Sequence, residues 1–152
     1  MVIRAAHVDD APRICEIVNH YAERSLMLHR SLESVYAGLR EFFVAEDDAG
    51  KVVGCIAMEI YWRDLAEIRS LAVAPEIQRS GTGKALLGAC LDDAKRLGVT
   101  RVFAMTYEND YFRKLGFSEV ALDSLPEKIW RECLEWYNQG HRHETAMIVT
   151  LP

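Results

Sequence analysis

Paired cysteines are missing from this 152-residue chain: Cys15, Cys55, Cys90 and Cys133 stand singly. A disulfide framework is therefore not expected, and a reducing, cytoplasmic compartment is. Cys133, His141 and His143 match no zinc-binding spacing, so no metal is expected. No apolar run approaches the roughly 18–20 residues of a membrane span. Charge arrives almost at once in Arg4, Asp9 and Asp10, which argues against a secretory leader. Lys and Arg number 18 against 23 Asp and Glu and gather into no basic stripe. Nucleic acid is not an expected partner. Repeats, low-complexity runs and linkers are also absent, so residues 1–152 read as one domain.

What is present is alternation of strand and helix patterns. Residues 2–6 read as a strand, and Asp9 is placed to cap a helix through Ile14, Ile17, Val18 and Tyr21, with Pro12 in its first turn. Ser31 is placed to cap a second helix. Residues 42–45 and 52–60 form a hairpin around Asp47-Asp48-Ala49-Gly50. A strand over 66–73 leads to a helix whose apolar face is Leu86, Leu87, Cys90, Leu91, Ala94 and Leu97, with Gly98 as its C-cap. Then come a strand over 102–105, a short helix from Asn109 to Gly116, a strand over 117–121, a helix over 125–136 and a strand over 146–151. The order predicts an α/β (α+β) architecture: a mixed, twisted sheet of about six to seven strands with helices on both faces.

The run Gln78-Arg79-Ser80-Gly81-Thr82-Gly83-Lys84 lies between a strand and a helix. Its glycines allow a tight turn and close approach of backbone N–H groups. Those donors sit at a helix N-terminus, where the dipole favours phosphate. It is not a P-loop, because Gln78 and Ala85 occupy positions that need Gly and Ser or Thr. It is not a dinucleotide fingerprint either, because Leu86 stands where Gly or Ala is needed.

Gln-x-x-Gly-x-Gly after a strand resembles the acetyl-CoA pyrophosphate loop of the GNAT N-acetyltransferases. Asn109-Asp110-Tyr111-Phe112-Arg113-Lys114-Leu115-Gly116-Phe117 resembles the segment that ends that family's short helix at Gly-Phe. Leu28-His29-Arg30-Ser31, Asp64 through Val73, and Leu125-Pro126-Glu127-Lys128-Ile129-Trp130 are similar to the short, stand-alone N-acetylglutamate synthases. The resemblance implies a GNAT fold and acetyl transfer from acetyl-CoA to the α-amine of glutamate, opening arginine synthesis. It implies cofactor contacts from Leu71, Ala72, Val73, Gln78, Arg79, Ser80, Gly81, Thr82, Gly83, Lys84, Asn109 and Phe112. Two departures stand out: His29 replaces the family's usual Pro or Arg, and the tail keeps only Cys133 and Glu144 of its usual pattern.

Acetyl transfer needs a group to take the amine proton, and a carboxylate facing the site can do so. Strict alternation would put Glu67, Arg69, Leu71 and Val73 on one face of their strand, and Ile68, Ser70 and Ala72 on the other. By resemblance Glu67 is the general base; the alternative is a structural pair with Arg69. Many GNAT enzymes carry a tyrosine acid where this chain has Phe112, and Tyr111 would face another side of the helix. Tyr107 is an alternative proton donor, or simply a wall. Arg30, Arg69 and Lys128 are the cations for a carboxylate acceptor, each with a solvated-surface alternative. Met27, Trp62 and Trp130 read as packing. Rival functions are a GNAT enzyme for another small amine or peptide N-terminus, and a non-catalytic acyl-CoA-binding module. A homodimer is compatible with either.

Overall fold

The computed structural model describes residues 1–78 and 80–152. Its elements are β1 (Val2–Ala5), α1 (Ala11–Ala22), α2 (Leu32–Ala37), β2 (Phe42–Glu46), β3 (Val52–Trp62), β4 (Leu65–Val73), α3 (Thr82–Leu97), β5 (Arg101–Thr106), α4 (Asn109–Lys114), β6 (Ser118–Glu119), α5 (Glu127–Asn138) and β7 (Thr145–Thr150). The strands form one sheet in the order β1-β2-β3-β4-β5-β7-β6. β1 to β4 run as an antiparallel meander, and α3 carries the chain across to β5, parallel to β4. β7 returns antiparallel between β5 and β6.

Each face of the sheet is covered because each helix has an apolar stripe to bury. Ile14, Ile17 and Val18 of α1 pack with Val35 of α2 on Val44, Cys55 and Ala57. On the opposite face Leu86, Leu87, Cys90 and Ala94 of α3 pack on Ile56, Met58, Ala66 and Ile68, joined by Phe112 of α4. Ile129 of α5 packs with Leu65, Phe103 and Ala146. Cβ alternation places that third cluster on the α1 face of the sheet.

Local signals explain most boundaries. Ser31 caps α2 by accepting the Ser34 N–H at 3.0 Å. Gly98, with φ 87°, ends α3 in the left-handed region that glycine tolerates. The acid before α1 differs from expectation. Asp10, not Asp9, accepts the His7 N–H at 2.7 Å and receives both Nη atoms of Arg4 at 2.8 and 3.0 Å. A buried carboxylate with those partners fixes the chain entry, while Asp9 stays exposed. Asn109 likewise does not cap α4: its amide nitrogen donates to Thr145 Oγ1 at 3.0 Å. Instead Thr106 Oγ1 takes the Glu108 N–H at 2.8 Å.

Two irregularities shape the site. Arg69 lies opposite Ala57 and Ala72 opposite Cys55, so Ser70 and Leu71 together face the single residue Ile56. This bulge inverts the alternation that the sequence suggested. Ala72 shares the face of Glu67 and Arg69 and packs with Cys55, whereas Val73 crosses to the Ile68 side. Ser70 is held at φ 53°, uncommon for a residue with a Cβ, and its carbonyl accepts the Cys55 thiol at 3.4 Å. Second, β4 and β5 pair only from Leu65–Arg101 to Ile68–Ala104. Beyond Ile68 the two strands part, leaving a cleft beyond the carboxyl ends of parallel strands, where open α/β sheets bind ligands.

Candidate active site

The cleft is a cavity of about 1370 Å³. One arm runs along the phosphate-type loop. Gln78, Ser80, Gly81, Thr82, Gly83 and Lys84 all line it, as do Leu71, Ala72 and Val73; Arg79 lies outside the described residues. Gly81 has φ 82°, which a side chain would strain, and open space around it. Gly83 is different: a Cβ there would come within 3.0 Å of Tyr111 Oη. Absence of that atom keeps the first N–H groups of α3 approachable, and these have no intrahelical acceptor. Ser80 and Thr82 hydroxyls bond each other at 2.7 Å across the turn. The arrangement suits a pyrophosphate.

Tyr21, on the apolar face of α1, is the tie of this arm. Its hydroxyl donates to the Val73 carbonyl and accepts from Gln78 Nε2, joining α1, β4 and the loop. Tyr111 departs from expectation. It lines the cavity beside Phe112, with its hydroxyl at Gly83. Phe112 is buried and meets Phe117 edge-on, centroids 5.1 Å apart.

The other arm holds Glu67, only 4 % exposed. Its cross-strand partner is Glu59 on β3, and like charges directly opposite destabilise a sheet. Arg69 answers both, with Nε 3.2 Å from Glu67 Oε1 and Nη1 3.3 Å from Glu59 Oε2. Tyr61, the extra residue of a second bulge in β3, has its hydroxyl 3.0 Å from Glu67 Oε1 and 3.2 Å from Glu59 Oε2. Both cationic and hydroxyl partners hold Oε1, so Oε2 has no side-chain partner among the described residues. Burial pushes the Glu67 carboxyl up to about 7, while the Arg69 charge and the Tyr61 hydrogen bond pull it down. A carboxylate with its pKa near neutral, facing a cavity, has the properties of a general base.

Arg30 enters from the loop before α2. Asn19 clamps its backbone on both sides, donating to its carbonyl at 2.8 Å and accepting its N–H at 3.0 Å. The guanidinium lies 5.1 Å over the Phe42 ring and contacts only Ser34 Oγ and its carbonyl by hydrogen bonds. It has no ion-pair partner among the described residues. Burial, then the nearby Arg69 charge, lower its pKa. A helix N-terminus suited to phosphate, a buried carboxylate and a guanidinium with no ion-pair partner among the described residues thus share one cavity.

The acetyltransferase (GNAT) family model matches residues 8–117. The chain belongs to the GNAT family. A Chlorobaculum tepidum protein described as an uncharacterized N-acetyltransferase is 38% identical over 149 residues, covering 98% of this chain and 96% of that protein. The amino-acid acetyltransferase of Mycobacterium tuberculosis is 37% identical over 141 residues, 91% of this chain and 80% of its own length. Among solved structures, the N-acetylglutamate synthase of Neisseria gonorrhoeae complexed with coenzyme A and N-acetyl-glutamate superposes with TM-score 0.89 at 32% identity; it covers 99% of this chain, which spans 35% of that one. A M. tuberculosis protein in complex with CoA superposes over the full length of both chains with the same score and identity. The protein is an acetyl-CoA-dependent N-acetyltransferase.

For a GNAT enzyme, some expected site residues are elsewhere. Asn109 does not line the cavity; it is bound to Thr145. Lys128 does not reach the cavity either, since its Nζ lies 5.6 Å over the Tyr61 ring. Tyr107 is a wall: its hydroxyl donates to the Arg142 carbonyl at 2.9 Å and accepts from Trp136 Nε1 at 2.6 Å. Arg69 is in the cavity but engaged, its Nη2 lying 3.0 Å from Glu132 Oε2 on α5. Glu59, Tyr61 and Glu132 escaped the sequence reading. The pattern Glu59-x-Tyr61 beside Glu67-x-Arg69 was the only signal for the first two. Among the described residues no cluster of three His, Cys, Asp or Glu is placed to hold a metal, and no helix is long and apolar enough to cross a membrane.

Proposed function

We propose that this enzyme acetylates the α-amine of an amino acid, with L-glutamate the acceptor, as the first acetylated step of arginine synthesis in the cytoplasm. The observation that carries this is the pairing, in one cavity, of Glu67 with Arg30, a base for the ammonium and an unpaired guanidinium for a carboxylate. The names of two relatives, an amino-acid acetyltransferase and an N-acetylglutamate synthase bound to N-acetyl-glutamate, point the same way. Acetyl-CoA supplies the activated acyl carbon and a thiol leaving group. Gly81, Gly83 and the N-terminus of α3 fix its phosphates, and Tyr111 stands beside them. Glu67 takes a proton from the incoming ammonium through Oε2, directly or through a water. A thiol of pKa about 8.5 leaves readily near neutral pH, so the engaged Tyr107 hydroxyl is not required as an acid.

A second reading has its own observation. Among the described residues, the cavity is lined, besides Glu67, by Glu41, Glu59, Glu108, Glu132 and Glu144, against Arg30, Arg69 and Lys84. That balance favours a cationic acceptor such as a polyamine. The decisive measurement is thiol release from acetyl-CoA with each amino acid, a polyamine and a peptide N-terminus. Glutamate turnover with no polyamine turnover supports the first reading; the reverse overturns it.

A further inference from the structure

Arg69 and Arg30 line the same cavity, yet only Arg30 is open to an external carboxylate. The three arms of Arg69 are not equivalent. Two are committed within the sheet, to Glu59 and Glu67, which would otherwise repel each other across adjacent strands and which the Tyr61 hydroxyl also holds. The third arm, Nη2, meets Glu132 at 3.0 Å. Glu132 comes from a helix 63 residues on, is 34% exposed at its side chain, and has no other side-chain partner among the described residues. α5 does not depend on this contact for its seat, because Ile129, Cys133 and Trp136 bury its inner face.

Building on the amino-acid acceptor proposed above, we infer that Glu132 is a specificity-determining residue: its carboxylate occupies the place on Arg69 that a second acceptor carboxylate takes, and is displaced when a dicarboxylic acceptor binds. Arg30 then holds one carboxylate and Arg69 Nη2 the other. Displaced Glu132 rotates into the cavity mouth and is hydrated, which is why this arm yields and the two sheet-bound arms do not. An internal carboxylate competes at an effective concentration on the order of millimolar, so it screens out weakly held anions.

The test compares Glu132→Gln with wild type for glutamate and glutamine, acceptors of equal length that differ by one charge. The expected result is a KM for glutamate lowered about fivefold relative to that for glutamine, the upper range for a partly exposed ion pair. Glu132→Asp keeps the charge but shortens the reach, and should lower the same ratio in part. Glutarate binding to the CoA-loaded protein, followed by calorimetry, reads the same site without turnover and should tighten in both variants. An unchanged or raised glutamate-to-glutamine ratio in Glu132→Gln, with wild type active on amino acids, overturns the role of Glu132. A wild-type enzyme that acetylates no amino acid overturns the acceptor reading, and glutarate then still decides about Glu132: no tightening rejects it.

Discussion

At the scale of single residues, the site turns on one carboxylate that the fold makes uncomfortable. Glu67 has a folded-state pKa of about 7 against an ordinary 4.5, with burial the largest cause. The acid limb of kcat/KM should therefore rise through about pH 7. The stability consequence has a definite sign. A carboxyl whose folded pKa lies above its unfolded value favours folding below the unfolded pKa, and that contribution is lost as pH climbs through about 7. Glu67→Gln should lower kcat by roughly 10²-fold or more while its Tm, measured against wild type, gains between pH 5 and pH 8. A variant with wild-type kcat would leave Glu67 only a structural partner of Arg69. Tyr61→Phe removes a hydrogen bond that favours the ionised form, so the acid limb should move to higher pH. An unmoved limb would mean that the hydroxyl serves Glu59 alone.

Elements show why some features were legible in the sequence and others were not. The Ser31 cap and the Gly98 stop are local signals that the structure places as read, and Gly81 opens α3 at positive φ. The α3 stripe holds at Leu86, Leu87, Cys90, Leu91 and Ala94, but Leu97, expected on the same face, is exposed. The bulge at Ser70 is not encoded by residue type; nothing in Arg-Ser-Leu marks a serine for positive φ. Asn109 and Tyr107 misled for a related reason. Their partners, Thr145 and the carbonyl of Arg142, lie about 35 residues away in the chain, where no local pattern reaches. The glycine loop also makes a contrasting prediction. Gly81→Ala meets backbone strain but no clash, and should lose about 1 kcal/mol of stability yet still respond to CoA. Gly83→Val collides with Tyr111 and should abolish the CoA-induced rise in Tm. Wild type should gain roughly 2.7 kcal/mol with CoA at about 100 times its dissociation constant. Equal CoA responses in the two variants would remove Gly83 from the phosphate cradle.

The whole molecule is organised around a sheet whose spatial order departs from chain order at one place, where β7 lies between β5 and β6. Val102, Phe103 and Ala104 of β5, all buried, pair with Val149, Ile148 and Met147 of β7. Deleting residues 145–152 should therefore unfold or aggregate the protein, not merely slow it; light scattering and near-UV dichroism would show this, and a monodisperse, CoA-responsive truncation would contradict it. On the ribosome, β2, β3 and β4 each emerge with an antiparallel partner already made, and β5 follows α3 directly to pair with β4. The other edge of β5 stays open until some forty further residues have been made, a few seconds at about 5–20 residues per second. During that interval the nascent chain exposes an apolar, unpaired strand edge, the kind of surface that draws chaperones or other copies.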